Sequence, residues 1–334
     1  MARGHEVRVF GPAEWFEQLH ATLPLGRLAR HLRDLRPNEQ TVNEIVTWAP
    51  DVLLTHNLTG CGFGTPQKIR ERGVRWVHIL HDVQLFEPSG RMIVGESSPK
   101  FRDLWRRLWS DLRRSTFGLP DVVVSPTNWL LGAHRQFGFF QTAESRIISN
   151  PMQIDAVDVF SVDRDPKRLV YVGRLDTDKG ADVLFDAWPK LRDVVSELVL
   201  IGDGTWRDRF EALHDPRIIL RGVLPSAEVF QTLVSAGLCV VPSRVQENQP
   251  TVILEALAAG CRVIASDVGG VGETLGQAGW LIQPGSVSSL VNGIRSAGAE
   301  LEDKARSTER ERILRAHDPD SAVDALLSVL MSNA

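Results

Sequence analysis

The chain has 334 residues, 43% hydrophobic and 24% charged, with a formal net charge of −4. That length buries a substantial core and, at about 150 residues per domain, corresponds to two domains. No run approaches the ~18 apolar residues that would span a bilayer, the N-terminus MARGHEVRVF has no secretory apolar region, and no nucleic-acid partner is expected.

Cys61, Cys239 and Cys261 lack any paired or metal-ligand spacing, and two of them sit in apolar runs where a thiol serves as a small hydrophobe. A reduced, cytoplasmic setting follows. Residues 1–155 hold 19 Lys/Arg against 16 Asp/Glu and the remainder 19 against 26, so the first half leans weakly towards anionic partners.

In chain order, VRVF at 7–10, DVLLTH at 51–56, RWVHILH at 75–81 and DVVVSPT at 121–127 read as strands, with helices in the gaps. His81 closes one of these runs, a place where a histidine is more often a hydrogen-bonded structural residue. The segment KFRDLWRRLWSDLRRS, 100–115, puts Phe101, Leu104, Trp105, Leu108 and Leu112 on one helical face and most of its six cations elsewhere. Packing of that face on its own sheet is expected, with a membrane-surface helix as the alternative. Asn128 in SPTNWL reads as a helix cap. Residues 156–168, charged and containing Pro166, read as the crossing between domains.

The second half restarts with RLVYVGRL at 168–175, a helix from about Ala181, ELVLIGDG at 197–204, IILRG at 218–222 and LCVVPS at 238–243. Strands alternating with helices imply parallel sheets covered on both faces. Arg174 and Lys179 lie in GRLDTDKG, a loop running from a strand into a helix. A guanidinium can fork onto phosphate oxygens and an ammonium supplies a compact charge, so the two form a candidate diphosphate clamp; the alternative is a pair of surface cations beside Asp176 and Asp178. Gly202 and Gly204 either let the chain turn close to a nucleotide or simply make a tight turn.

ENQPTVILE, 247–255, places two carboxylates across a loop-to-helix junction, with Pro250 at the expected first helical position and Gly260 as the stop. Unpaired N–H groups and a positive dipole end at the helix start suit a diphosphate, with Glu247 and Glu255 towards its two hydroxyl-bearing ends. CRVIASDVGGVGE then supplies another strand and a Gly-rich loop. Pro319 to Leu330 reads as a last helix with Ala322, Ala325, Leu326 and Leu330 inward.

Several of these motifs recur in a known order: Val172-Gly173-Arg174-Leu175, Lys179-Gly180, Leu200 to Gly204, Glu247 with Glu255, and Gly269-Gly270 with Glu273. Together they resemble the signature of glycosyltransferase family 4, retaining enzymes of the GT-B fold. The resemblance implies an α/β protein of two Rossmann-like doubly wound domains facing a cleft. Its units would be 1–160 on the acceptor side, 161–315 on the nucleotide-sugar side, and a helix, 316–334, returning to the first domain. It implies transfer of a sugar from a nucleotide-diphosphate sugar to a glycan or lipid-linked acceptor in cell-envelope or exopolysaccharide synthesis.

By resemblance Glu255 holds the ribose, Glu247 lies by the donor sugar, and His81, from Leu80-His81-Asp82, reaches it across the cleft. Arg174, Lys179, Gly202 and Gly204 complete the nucleotide site, with no cofactor and no metal. Retention without a protein nucleophile implies a front-face displacement. Asn248 and Pro250 replace the Gly-rich EGFG-like run of many relatives, which makes a stiffer loop. The implied location is cytoplasmic, with a peripheral position at the inner membrane face, through 100–115, as a variant.

The opening RGHEVRVF resembles the end of the first helix and the second strand of relatives, so an incomplete first domain is expected, with roughly 30 residues of strand, loop and helix upstream of Met1. A nucleotide-sugar epimerase, a phosphorylase or a non-catalytic paralogue on the same fold are the competing readings.

Overall fold

A computed structural model of the protein describes residues 4–12, 32–87, 89–95, 100–153, 159, 162–299 and 303–332, with the side chains of 100–103, 299 and 303–307 outside the description. Two parallel sheets organise it. The first contains β1 (Val52–Thr55), β2 (Arg75–Ile79), β3 (Val122–Ser125) and β4 (Glu144–Ile147), in the order β1-β2-β3-β4. The second contains β5 (Asp165–Val172), β6 (Leu198–Ile201), β7 (Ile218–Gly222), β8 (Ala236–Val241), β9 (Arg262–Ser266) and β10 (Gly279–Ile282), in the order β10-β9-β8-β5-β6-β7.

The second sheet explains why its strands read as unbroken apolar runs. Leu169 and Tyr171 of β5 enter one core with Leu198, Leu200, Leu238 and Val240, while Val170 enters the opposite core with Val199, Cys239 and Val263. Side chains alternate between faces, and here both faces are covered by helices, so no position needs to be polar. Cys239 and Cys261 are buried thiols, not joined in a disulfide, in this packing.

Five expectations change. Residues 7–10 pair with no described strand: Val7 and Val9 are exposed, and only Phe10 packs, against Val42, Ile45 and Ile69. An alternating V-x-V pattern fits a strand, but the ladder needs a partner edge as well. Conversely β4, of sequence ESRI, carries no apolar run because it is a mostly exposed edge. Pro166 belongs to β5 rather than to a linker. It sits where the β5–β8 register shifts, a place that tolerates a residue without an N–H. Of the expected crossing, residues 156–158, 160 and 161 lie outside the described residues.

The fourth change concerns the helix Lys100–Phe117. Its apolar stripe faces outward, with Leu104 and Leu108 each 56% exposed and Trp105 45%, whereas Trp109 is 4% exposed and Arg113 3%. Phe101 falls outside the described side chains. The buried face holds because Arg113 lies over the Phe63 and Trp109 rings, 4.6 and 5.0 Å from their centroids, so an aromatic cradle replaces the expected leucine contact. Burial lowers the Arg113 pKa to about 10. Last, the helix Pro319–Met331 sets Leu326, Val329 and Leu330 on Val77, Val122 and Val124 of the first sheet, while Ala325 is exposed.

Candidate active site

The strand order reverses at β5: β6 and β7 lie on one side, and β8, β9 and β10 on the other. Loops leaving β5 and β8 at their carboxyl ends therefore diverge and open a crevice, the usual ligand position in an open parallel sheet. The loop after β5 carries Arg174 and Lys179, and the loop after β8 carries Glu247. All three line one cleft of about 400 Å³, and His81 lines it from the first sheet.

Local geometry brings these groups together. Thr177–Lys179 form a single 3₁₀ turn that ends at Gly180, whose φ is +76°. A Cβ there would lie 2.0 Å from the carbonyl oxygen of Pro242, so glycine lets the two loops touch. Lys179 then donates from Nζ to Oε1 of Glu247, which also accepts from Ser243 Oγ at 2.9 Å. Arg174 pairs with Asp176 and, at 2.7 Å, with Asp178. Hydrogen bonding to Asp178 raises the guanidinium pKa. A guanidinium has five N–H donors, so these carboxylates hold Arg174 in place and leave donors for a phosphate.

Asp178 also meets Arg91 of the first sheet's side at 3.4 Å. Ile93 forms an antiparallel bridge with Val245, flanked by Val94 N–H to Arg244 O at 2.8 Å and Gln246 N–H to Met92 O at 2.7 Å. The segment bearing Arg91 is thereby stitched to the loop that bears Glu247.

The ligand helix spans Thr251–Ala258 with Pro250 as its N-cap, not its first helical residue. Pro250 makes no side-chain cap bond, and of the first-turn N–H groups that of Ile253 donates to the Pro250 carbonyl oxygen at 3.1 Å. Glu255 sits in the second turn, half-buried, with no side-chain hydrogen bond among the described residues, and burial raises its pKa. It does not line the cleft, and neither do Gly202 and Gly204. Those glycines bring backbone onto backbone: a Cβ on Gly202 would lie 1.9 Å from Gly173 O, and one on Gly204 2.6 Å from Leu175 O.

Across the cleft, Asn248 accepts from Thr127 Oγ1 at 2.9 Å and donates to the His81 carbonyl oxygen at 3.2 Å. Gln249 accepts from the Asn150 N–H at 2.7 Å. Glu273 accepts from the N–H groups of Asn128, 2.8 Å, and Trp129, 2.6 Å, and from Asn128 Nδ2 at 3.1 Å. Asn128 is thus not the cap of its helix; Thr127 is, accepting from Leu130 N–H at 3.2 Å. A carboxylate from the second sheet's side completes that helix N-terminus, where the dipole favours negative charge.

His81 Nε2 lies 2.7 Å from Nδ1 of His56, at the end of β1. Burial lowers the pKa of both rings and raises that of Asp82. Sequence reading missed His56, Arg91, Ser243 and the bonding of Asn248, since each matters only through a partner distant in sequence. Among the described residues no helix is long and apolar enough to cross a membrane.

Two parallel-sheet α/β units with a shared cleft define the GT-B class of glycosyltransferases; here the second is doubly wound, while the described strands of the first follow one another in simple order rather than in the expected reversed one. Residues 1–156 match the family model described as Glycosyltransferase Family 4, and residues 166–299 match Glycosyl transferases group 1. The chain belongs to these family 4 glycosyltransferases. A 42.6 kDa protein of the cps region of Klebsiella pneumoniae is 27% identical over 266 residues, covering 78% of this chain and 69% of that one. The putative teichuronic acid biosynthesis glycosyltransferase TuaC of Bacillus subtilis is 38% identical over 131 residues, 39% of this chain and 32% of its own length. The structure of Anabaena HepE in complex with UDP superposes with a TM-score of 0.67 at 20% identity, over 88% of this chain and 82% of that chain. At that identity the likeness concerns the fold.

Proposed function

We propose that this protein moves a sugar, with retention, from a nucleoside-diphosphate sugar to a hydroxyl of a glycan or lipid-linked acceptor in cell-envelope or exopolysaccharide assembly. The observation that carries the reading is the meeting of Arg174, Lys179, Glu247 and His81 in one cleft at the strand-order reversal. Arg174 and Lys179 neutralise the diphosphate as the bond from the anomeric carbon to its oxygen breaks. That leaving oxygen takes the proton of the incoming hydroxyl as the new bond forms on the same face. Positioning and charge neutralisation suffice because the diphosphate is already a good leaving group. Glu247 and His81 orient the transferred sugar, and Glu255, a half-buried carboxylate, accepts from the ribose hydroxyls.

The UDP in the HepE structure makes uracil the first base to test, and the cps-region and teichuronic acid relatives favour an envelope acceptor. Incubation with a panel of nucleotide sugars, with and without chelator, followed by product analysis, tests the reading. Release of nucleoside diphosphate with a glycosylated or hydrolysed product, undiminished by chelator, is expected. An epimerised donor, or binding without turnover, would replace the reading with one of its competitors.

The same reading gives the helix Lys100–Phe117 an anionic bilayer as partner. Leu104, Trp105, Leu108 and Leu112 face outward, with exposed Arg107 and Arg114 beside them. The helix also adjoins the cleft edge, where Arg106 lies 3.9 Å from Glu87, close in sequence to Arg91. Sedimentation with anionic vesicles at low salt, released as salt rises, is the expected result. A Trp105→Ala, Leu108→Ala double variant that sediments unchanged would overturn it.

A further inference from the structure

His56 and His81 close the ends of adjacent parallel strands, and their rings lie edge to edge with centroids 5.0 Å apart and planes 22° from parallel. The contact between Nδ1 of His56 and Nε2 of His81, 2.7 Å, is a hydrogen bond between two imidazoles. Such a bond holds one proton: one nitrogen donates and the other accepts. A neutral imidazole carries a single N–H, so the side of the bond that holds the proton sets the state of the remaining nitrogen on each ring. When His56 donates, His81 carries its proton on Nδ1 and offers a donor. When His81 donates, its Nδ1 is a bare acceptor. Nδ1 has no hydrogen bond among the described residues, and His81 lines the cleft.

The floor under the pair favours a fixed arrangement. His56, His81, His78 and His134 line one small cavity of about 20 Å³, room for one water. Trp76 Nε1–H donates to Thr55 Oγ1 at 2.7 Å, and Thr55 Oγ1 lies 2.8 Å from Nδ1 of His78, against 3.5 Å from the Val77 carbonyl. Thr55 Oγ1 thereby ties His78 to Trp76 and fixes the ring of His78 under the pair. His134 bonds the Leu130 carbonyl through Nδ1 at 2.8 Å, so Nδ1 carries the proton and the buried Nε2 is an acceptor with no protein partner. The cavity thus holds one acceptor of fixed sense, Nε2 of His134, and burial keeps His134, with a pKa of about 4, neutral.

We propose that His56 is a positioning residue for sugar transfer: it fixes the ring orientation and tautomer of His81, leaving Nδ1 of His81 as the nitrogen offered to the transferred sugar. This rests on the donor-side reading above. The nitrogen a histidine presents is set by the bond its other nitrogen makes.

The test uses ¹⁵N imidazole spectra of the full chain with UDP, for the wild type, His56→Ala and His56→Asn, alongside turnover of the best nucleotide-sugar donor. An asparagine amide reaches the place of the histidine Nδ1, so it is the conservative replacement. Wild-type His81 should show a single tautomer with a hydrogen-bonded Nε2. His56→Ala should give averaged shifts, a kcat lower by about tenfold, the equivalent of one hydrogen bond, and unchanged UDP affinity. His56→Asn should recover most of both signals. His81 spectra unaltered in His56→Ala would overturn the proposal, as would an altered tautomer with undiminished kcat. If no nucleotide sugar turns over with the wild type, the donor reading fails by itself, and the spectra alone decide whether His56 orders His81.

Discussion

On the β5–β10 side of the cleft, backbone meets backbone: a Cβ on Gly202 would lie 1.9 Å from Gly173 O, and one on Gly269 2.0 Å from Glu247 O. On the β1–β4 side, side chains span the gap, through Asn248 to Thr127 and His81, Glu273 to Asn128 and Trp129, and Gln249 to Asn150. Close backbone contact permits glycine alone and tolerates almost no displacement. Side-chain bonds worth about 1 kcal/mol each can break and reform. The first construction holds its loops to within fractions of an ångström; the second, with the backbone bridge of Ile93 to Val245, joins the two sides by bonds that can be removed one at a time.

Substituting glycines should give the largest effects. Gly202→Ala forces a Cβ into a carbonyl oxygen at φ +130° and should cost several kcal/mol, roughly 3 or more, in urea unfolding. Gly298→Ala meets nothing within 4 Å and should stabilise by about 0.5–1 kcal/mol. Equal stability of the two variants would show that backbone contact at Gly202 does not constrain that wall.

Next come the cations. Arg174→Ala and Lys179→Ala should each weaken UDP binding by about 1.5–3 kcal/mol, the worth of a charge-assisted hydrogen bond. Calorimetry reads this directly, and unchanged affinity in both variants would remove the clamp from that wall.

Among the side-chain bonds between the two sides, Asn248→Gly deletes those to Thr127 and His81 and should cost about 1–2 kcal/mol. On the proposed reading the loss belongs in kcat, with UDP affinity retained, because the nucleotide contacts are assigned to Arg174, Lys179 and Glu255 and not to Asn248. A fall confined to UDP affinity would contradict the assignment.

The smallest effect is a gain. Glu255 has a carboxyl pKa raised by burial, so its charged form is disfavoured in the folded protein. That penalty is fully present above the raised folded pKa and is relieved as pH falls through it. Glu255→Gln should therefore raise the melting temperature of the ligand-free protein by about 1–3 °C at pH 8. The gain should shrink towards the ordinary glutamate range, while UDP binding weakens. A pH-independent change in melting temperature would show that charge is not the cause.

The sequence by itself determined the second sheet and the order of its motifs. In doubly buried parallel strands every residue from Leu198 to Ile201 or from Leu238 to Val241 must be apolar, and glycines mark where loops touch, so burial and sterics write themselves into residue type. It also placed Arg174, Lys179, Glu247 and Glu255 on the right loops and helix. Only the tertiary structure decided which of them share a cleft, that Lys179 holds Glu247, that Arg91 and His56 join from the first sheet, and that the apolar stripe of Lys100–Phe117 faces outward. Helical periodicity shows that a face is apolar but not what lies opposite it. A single hydrogen bond between residues 25 apart, such as His56 to His81, or 167 apart, such as Asn248 to His81, leaves no local pattern because neither partner needs the other until the chain has folded.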